Sequence, residues 1–231
     1  MSDMTFQRAR SAEQREIRRR AILDTAAAML VEMPVAEVSL NELSRRVGLA
    51  KSNVLRYFES REAILLELLD RAVKEWLDEL PGDLDAAVRS DASARERGDR
   101  LAAVVAGSLA KRAVLCDLLS AQAGVLEHNV SVTVAARYKR ATLDNITAMA
   151  ELVRRHLPEV GDEAFLLCGG IFVLVGAMWP YSRPSPSMLA AFEADPALAV
   201  LRIDFPATAE YALSTFVAGT IARTASREGA D

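Results

Sequence analysis

Apolar residues recur at steps of three and four along almost the whole chain, and no stretch alternates apolar with polar residues between hairpin turns. The first pattern lines one face of a helix; the second, the mark of a half-buried strand, is missing. An all-α fold of about nine helices follows. At 231 residues, the chain has room for one or two domains and buries a core without disulfide staples.

Ser11 and Gln14 have capping-box spacing and open the first helix, whose inner face is Ile22, Ala26, Met29, Leu30 and Met33. Pro34 ends it at Met33. Ser39 with Glu42 repeats the capping signal for a short second helix, and Gly48 suits the left-handed position that stops it after Val47. A third short helix covers Lys51 to Phe58. Ser60 caps a longer one with inner face Ile64, Leu65, Leu68, Ala72, Val73, Trp76 and Leu80, closed by Pro81-Gly82. Further helices fall at about 93–112, 112–127, 130–157, 162–179 and 206–225. Asn129 or Ser131 caps the third of these, Pro206 sits at a first helical position, and a Pro-rich connection with short helical turns joins Pro180 to Phe205.

Charge is unevenly spread. Residues 1–62 carry 11 basic and 9 acidic side chains, whereas the remainder carries 17 basic and 23 acidic. A basic head on an acidic body points to two jobs in one chain. The formal net charge of −4 excludes a protein that coats polyanions with its whole surface.

Two short helices joined at Gly48 fit a helix-turn-helix. Leu43, Val47, Leu49 and Val54 are apolar where the helices must touch, and Ser44 is small at their closest approach. The opposite face carries Lys51, Ser52, Asn53, Arg56 and Tyr57. Such side chains suit a major groove, where Arg pairs with guanine O6 and N7, and Asn with adenine N6 and N7. Arg56 and Asn53 fit those base-reading roles, and Ser39, Lys51, Tyr57 and Arg61 fit phosphates. Arg8, Arg10 and Arg15 form a basic arm within reach of an adjacent minor groove.

The run Ser39-Leu40-Asn41-Glu42-Leu43, followed by Gly48-Leu49-Ala50-Lys51-Ser52-Asn53-Val54-Leu55-Arg56-Tyr57-Phe58-Glu59-Ser60-Arg61-Glu62, resembles the N-terminal domain of TetR-family transcriptional regulators. The likeness covers roughly residues 14–65. It implies a helix-turn-helix DNA-binding domain over 1–60 and a larger helical domain over 61–231 that dimerises and binds a small effector. By position, Ser39, Tyr57 and Arg61 match phosphate contacts, and Asn41, Lys51, Ser52, Asn53 and Arg56 match groove-facing positions. Leu55 stands where a Tyr is usual, which removes a phosphate hydroxyl and offers a thymine methyl an apolar contact. Ala50 replaces a frequent Ser cap, at about 1 kcal/mol, and Arg61 replaces a commoner Lys.

In the body, the 16 residues from Ala164 to Trp179 carry no charge. At about 1.5 Å each they span some 24 Å, short of a ~30 Å bilayer core, so a buried helix is expected and no membrane contact. Gly169, Gly170, Phe172 and Gly176 on this helix, with Ala209, Leu213, Phe216 and Val217 on the last, are candidates for a homodimer interface of four helices. Trp76, Cys116, Tyr138, Met149, Phe165, Phe172 and Trp179 are candidates for an effector pocket.

Catalytic motifs are missing: no G-x-S-x-G, H-E-x-x-H, Walker loop or dinucleotide glycine fingerprint occurs. Cys116 and Cys168 read as small buried hydrophobes, and His128 and His156 as surface or helix-end residues; neither a metal nor another cofactor is expected. No apolar run precedes Ala21, so a cytoplasmic location is expected and the Asn129 and Asn145 sequons are accidental. The sequence therefore points to a dimeric regulator, a repressor of operator DNA released by a small molecule. The other class open to it is a helical interaction module whose helix-turn-helix meets protein; salt-sensitive binding distinguishes the two.

Overall fold

The computed structural model describes residues 2–228, with side chains over residues 13–227. Ten α-helices, connected by short 3₁₀ turns and one π turn, make up the described residues, and no strand occurs among them. Helix α1 spans Ser2–Glu32. Ser11 therefore lies inside the helix and does not open it, and the side chains of Ser11, Arg8 and Arg10 fall outside the described ones. Ile22, Ala26 and Met29 are fully buried along its inner face. Pro34 forbids helical geometry at the residue before it, and the chain leaves through a 3₁₀ turn at Val35–Glu37.

Helix α2 (Leu40–Val47) is capped by Ser39, whose Oγ accepts from the Glu42 N–H at 3.2 Å. The reciprocal half of the expected capping box does not form: the Glu42 carboxylate binds Arg45 and Arg46 instead. Gly48 adopts φ 71° and its N–H closes the helix end on the Ser44 and Arg45 carbonyls. A side chain at that φ would be strained, so glycine is what lets α3 turn across α2. Helix α3 (Lys51–Val54) has no side-chain cap at Ala50. Its hydrogen bonding carries on as a turn, with Tyr57 and Phe58 N–H groups donating to the Val54 carbonyl.

Helix α4 (Arg61–Ala87) starts at a Ser60 cap and continues through Pro81. The expected stop at Pro81-Gly82 is thus corrected. An interior proline costs about 3 kcal/mol. Leu80 and Leu84 are both buried one turn apart, each contributing about 1.5–3 kcal/mol, which is enough to carry the helix onward. Helix α5 (Ala94–Ala110) follows a complete Ser93–Glu96 capping box. Helix α6 (Ala113–Ala121) passes into the π turn Gln122–Leu126. Ser131 caps α7 (Val132–His156), and α8 is Ala164–Met178. The Pro-rich connection holds α9 (Pro186–Ala194) and a 3₁₀ turn at Pro196–Leu201, before α10 (Phe205–Glu228).

One apolar core runs without a break from Ile22 in α1 to Val217 in α10. Helix α8 lies within the body, with Leu167, Cys168, Ile171 and Val175 buried. Packing in the body overturns part of the interface expectation. Ala209, Leu213 and Val217 are fully buried within the single chain, with Val217 against Gly98 of α5, so they present no surface to a second subunit. Gly170 receives the Phe216 ring, and Gly176 allows the Leu119 carbonyl of α6 to approach where a Cβ would sit 3.0 Å away. Gly169 and Phe172 also face inward, toward α7 and α4. The large apolar residues most exposed on α8 and α10 are Leu166, Val173 and Tyr211. A helical stripe in sequence shows that a face is covered, not which helix covers it.

Candidate nucleic-acid interface and cavity

On the head, α2 and α3 leave one polar face open. Asn41, Lys51, Ser52, Asn53 and Arg56 are exposed, and Leu55 is 40% exposed beside them. Among the described residues none of these side chains is held in a salt bridge or a hydrogen bond, unlike Arg45 and Arg46, which Glu42 and Glu32 neutralise. The two guanidinium groups draw the Glu42 pKa down to about 2, so that cluster carries no free positive charge to offer. Val54 and Phe58 are buried beneath α3, and fix which way its polar face points.

Helix α1 completes this surface. Gln14, Arg15 and Arg18 meet Arg56 and Tyr57 around a notch of about 620 Å³. With three arginines and no carboxylate among its lining residues, the notch has the charge to attract a phosphate. Sequence reading placed Arg15 in an arm and gave Arg18 no role. The signal was there in the spacing: Gln14, Arg15 and Arg18 are three and four apart on one helix face.

Two expected phosphate contacts sit differently from the rest. Ser39 is an N-cap acceptor, leaving only its O–H to donate outward. Arg61 is half-buried: its guanidinium donates to the Val35 carbonyl and pairs with Glu62 at 3.3 Å. Arg61 thus ties the start of α4 to the α1–α2 connection. Arg19 does comparable work further along, bonding the Tyr57 carbonyl at 3.2 Å and Glu67, with its guanidinium 4.3 Å from the Phe58 ring centroid.

The body contains a cavity of about 360 Å³ between α4, α6, α7 and α8. Of the expected pocket residues, Tyr138 and Phe172 line it. Trp76 stands behind Phe172 in an edge-to-face contact at 5.9 Å, with its indole N–H on Ser108. Cys116 and Met149 are fully buried core. Phe165 is an exposed surface residue, and Trp179 packs elsewhere, edge-on against Phe205 and bonded to Asp117. Those last four do not line this cavity: apolar size marks burial, and burial alone does not mark a cavity wall. Among the residues missed are Asp70, Gln122, Thr142, Asn145 and Ile146. Tyr138, Thr142 and Asn145 lie at i, i+4 and i+7 of α7, a polar stripe on a buried face that the sequence already displayed.

Residues 22–68 match the family described as bacterial regulatory proteins, tetR family, and residues 70–224 match the tetracyclin repressor-like C-terminal domain. EthR, an HTH-type transcriptional regulator of Mycobacterium tuberculosis, is 38% identical over 81 residues, 32% of this chain and 36% of that protein. EthR of Mycolicibacterium smegmatis is 33% identical over 79 residues, 31% of this chain and 36% of that one. The matched segment thus spans about a third of these relatives' length. Among solved structures, a TetR transcriptional regulator of Rhodococcus sp. RHA1 superposes with a TM-score of 0.54 at 13% identity, over 89% of this chain and 96% of that one. The fatty acid degradation regulator FadR of Bacillus halodurans gives 0.52 at 14%, over 87% and 98%. At such identities these structures speak for the fold alone. With both of its parts matched and the helix-turn-helix in place, the chain belongs to the tetR family of bacterial transcriptional regulators.

Proposed function

We propose that the protein is a dimeric repressor whose heads read an operator and whose body binds a small molecule that releases the DNA. The head is residues 1–60 and the body 61–231. The observation that carries the DNA reading is the open face of α3, where the Lys51, Ser52, Asn53 and Arg56 side chains make no hydrogen bond or salt bridge among the described residues while Val54 and Phe58 are buried beneath them. Arg56 and Asn53 are the base readers, with Leu55 toward a thymine methyl. Asn41 and Ser52 face the groove beside them, and Ser39, Lys51, Tyr57 and the notch arginines Arg15 and Arg18 meet phosphates, which sets the register of the head on the duplex.

The outer faces of α8 and α10, with Leu166 at 67%, Val173 at 70% and Tyr211 at 76% exposure, supply the second-copy contact. Two heads so joined meet major grooves about 34–36 Å apart, or a longer repeat of the helical turn. A ligand that favours another head spacing lowers DNA affinity, and DNA lowers ligand affinity by the same factor.

The test is a titration of the protein against duplex DNA from upstream of its coding region, at two salt concentrations, beside a scrambled duplex. The expected result is saturable binding that prefers the upstream duplex and weakens steeply with salt. A folded dimer with no salt-sensitive binding to either duplex sinks the proposal.

A further inference from the structure

The cavity in the body has a chemistry of its own. Its walls are mostly aliphatic and aromatic, and none of its lining residues is Lys, Arg or His. The lone carboxylate is Asp70, and both of its oxygens are taken: Oδ1 accepts from Asn145 Nδ2 at 2.9 Å and Oδ2 from Lys74 Nζ at 2.8 Å. Other polar groups on the wall are also occupied. Thr142 donates to the Tyr138 carbonyl, Ser120 to the Asp117 carbonyl, and the Gln122 amide N–H to Glu127. The Tyr138 phenol differs from these. The residue is 7% exposed, and burial pushes its pKa well above the ordinary value although the neighbouring Thr142 hydroxyl lowers it, so its O–H stays on to donate.

We infer that this cavity takes an uncharged, largely apolar molecule bearing a hydrogen-bond acceptor for the Tyr138 hydroxyl, and rejects free carboxylates and ammonium groups. The assignment deepens the effector reading above and rests on it. A ligand carboxylate would find no cation on the wall, since the nearby Lys74 and Lys139 are engaged by Asp70 and Glu127, and would face Asp70, so its desolvation goes uncompensated. An ammonium would find the Asp70 charge already offset by Lys74 and would have to displace that pair. A ketone, ester or alcohol on an apolar frame loses little water and gains the phenol hydrogen bond. The volume, about 360 Å³, lies at the small end of ligand cavities and holds the space of about a dozen waters.

Calorimetric titration of the full-length protein without DNA, at about pH 7, tests the class with 2-octanone, 1-octanol, octanoate and octylamine, the last two ionised there. Both neutral probes should saturate, about tenfold or more tighter than either ion. Tyr138→Phe should weaken 2-octanone several-fold and leave butylbenzene, which has no strong acceptor, unchanged. Gly169→Leu should abolish binding of both while the melting curve stays cooperative, because a Cβ there meets only Ile146 Cδ1 at 3.8 Å and the side chain grows into the space. Octanoate or octylammonium binding as tightly as 2-octanone overturns the inference, as does no binding by any probe. Release of DNA is read separately. Neutral probes that bind the cavity without releasing operator DNA leave the ligand class standing and overturn the effector reading.

Discussion

Glu59, at the end of the helix-turn-helix, accepts two hydrogen bonds from Ser131, one from its backbone N–H at 2.6 Å and one from its hydroxyl at 2.7 Å. Ser131 is also the N-cap of α7, the helix that carries Tyr138, Thr142, Asn145 and Ile146 along the cavity wall. The head is therefore bonded to the first turn of a cavity helix. The Ser131 N–H, and then its hydroxyl, hold the Glu59 carboxyl below its ordinary value. A value lowered by folding means the link is fully present above the ordinary carboxylate range and is lost as pH falls through the lowered one. Thermal melts across pH should find Glu59→Gln less stable than the parent at neutral pH, with the gap closing toward acid. Ser131→Ala should cost about 1 kcal/mol through the lost cap as well. A gap that widens in acid would contradict the link.

The arginines of the head should separate into three kinds. Arg56→Ala should relax base preference at one position, at about 1–3 kcal/mol against the correct site. Arg18→Ala should weaken all duplexes alike and reduce the slope of log affinity against log salt by about one. Arg61→Ala should act on the fold, since its guanidinium holds the Val35 carbonyl, and lower stability by about 1–3 kcal/mol with the salt slope unchanged. Binding isotherms at several salt concentrations, paired with denaturant melts, distinguish all three. A lower salt slope for Arg61→Ala would return it to the DNA-contacting set.

Pro81 sits inside α4 with buried Leu80 and Leu84 on either side. Pro81→Ala restores a helical N–H and removes the ring's clash with the preceding turn, and should stabilise the protein by about 1–3 kcal/mol. Part of that gain is offset because proline also restricts the unfolded chain. An unchanged or lower urea midpoint would show that the proline is needed where α4 packs against α5 and α7.

The head was legible in sequence because its determinants are local. A cap at Ser39, a left-handed Gly48 and the apolar set Leu43, Val47, Leu49 and Val54 lie within sixteen positions and permit one arrangement. The body was legible as helices but not as a site. Whether Val217 faces a second subunit or Gly98 depends on a residue more than a hundred positions away. The same holds for Trp179, whose size marked it as a pocket residue and whose place is set by Phe205 and Asp117. Pro81 shows the limit of a local rule, because tertiary burial of Leu84 outweighs a strong helix breaker. The cavity's own polar stripe on α7 was visible, yet its meaning needed Asp70 from α4.

Burial pushes the thiol pKa values of Cys116 and Cys168 up to about 12. At about pH 8 both remain protonated, and a thiol reacts only as its thiolate. Iodoacetamide should leave the native protein unmodified over hours and alkylate both cysteines in denaturant, as mass spectrometry reads directly. Rapid native alkylation at Cys168 would mean that α8 leaves the body often enough to expose it.

The second-copy contact is the last to test. Val173 and Leu166 project from α8 and Tyr211 from α10, all more than half exposed in the single chain. Large apolar side chains left in water on adjacent helices are what an isologous interface covers. A charge at Val173 would be buried unpaired, and twice, because a two-fold axis presents the same residue from both copies. Val173→Glu should therefore shift sedimentation equilibrium from dimer toward monomer while leaving helix content intact, and because Val173 also stands on the cavity wall, Leu166→Glu, which lies off that wall, should give the same shift. Operator affinity should fall with it, because two linked heads bind far more tightly than one. A variant that remains a dimer would move the interface off this face of α8. A monomer that kept full operator affinity would instead remove the dimer from the DNA-binding step.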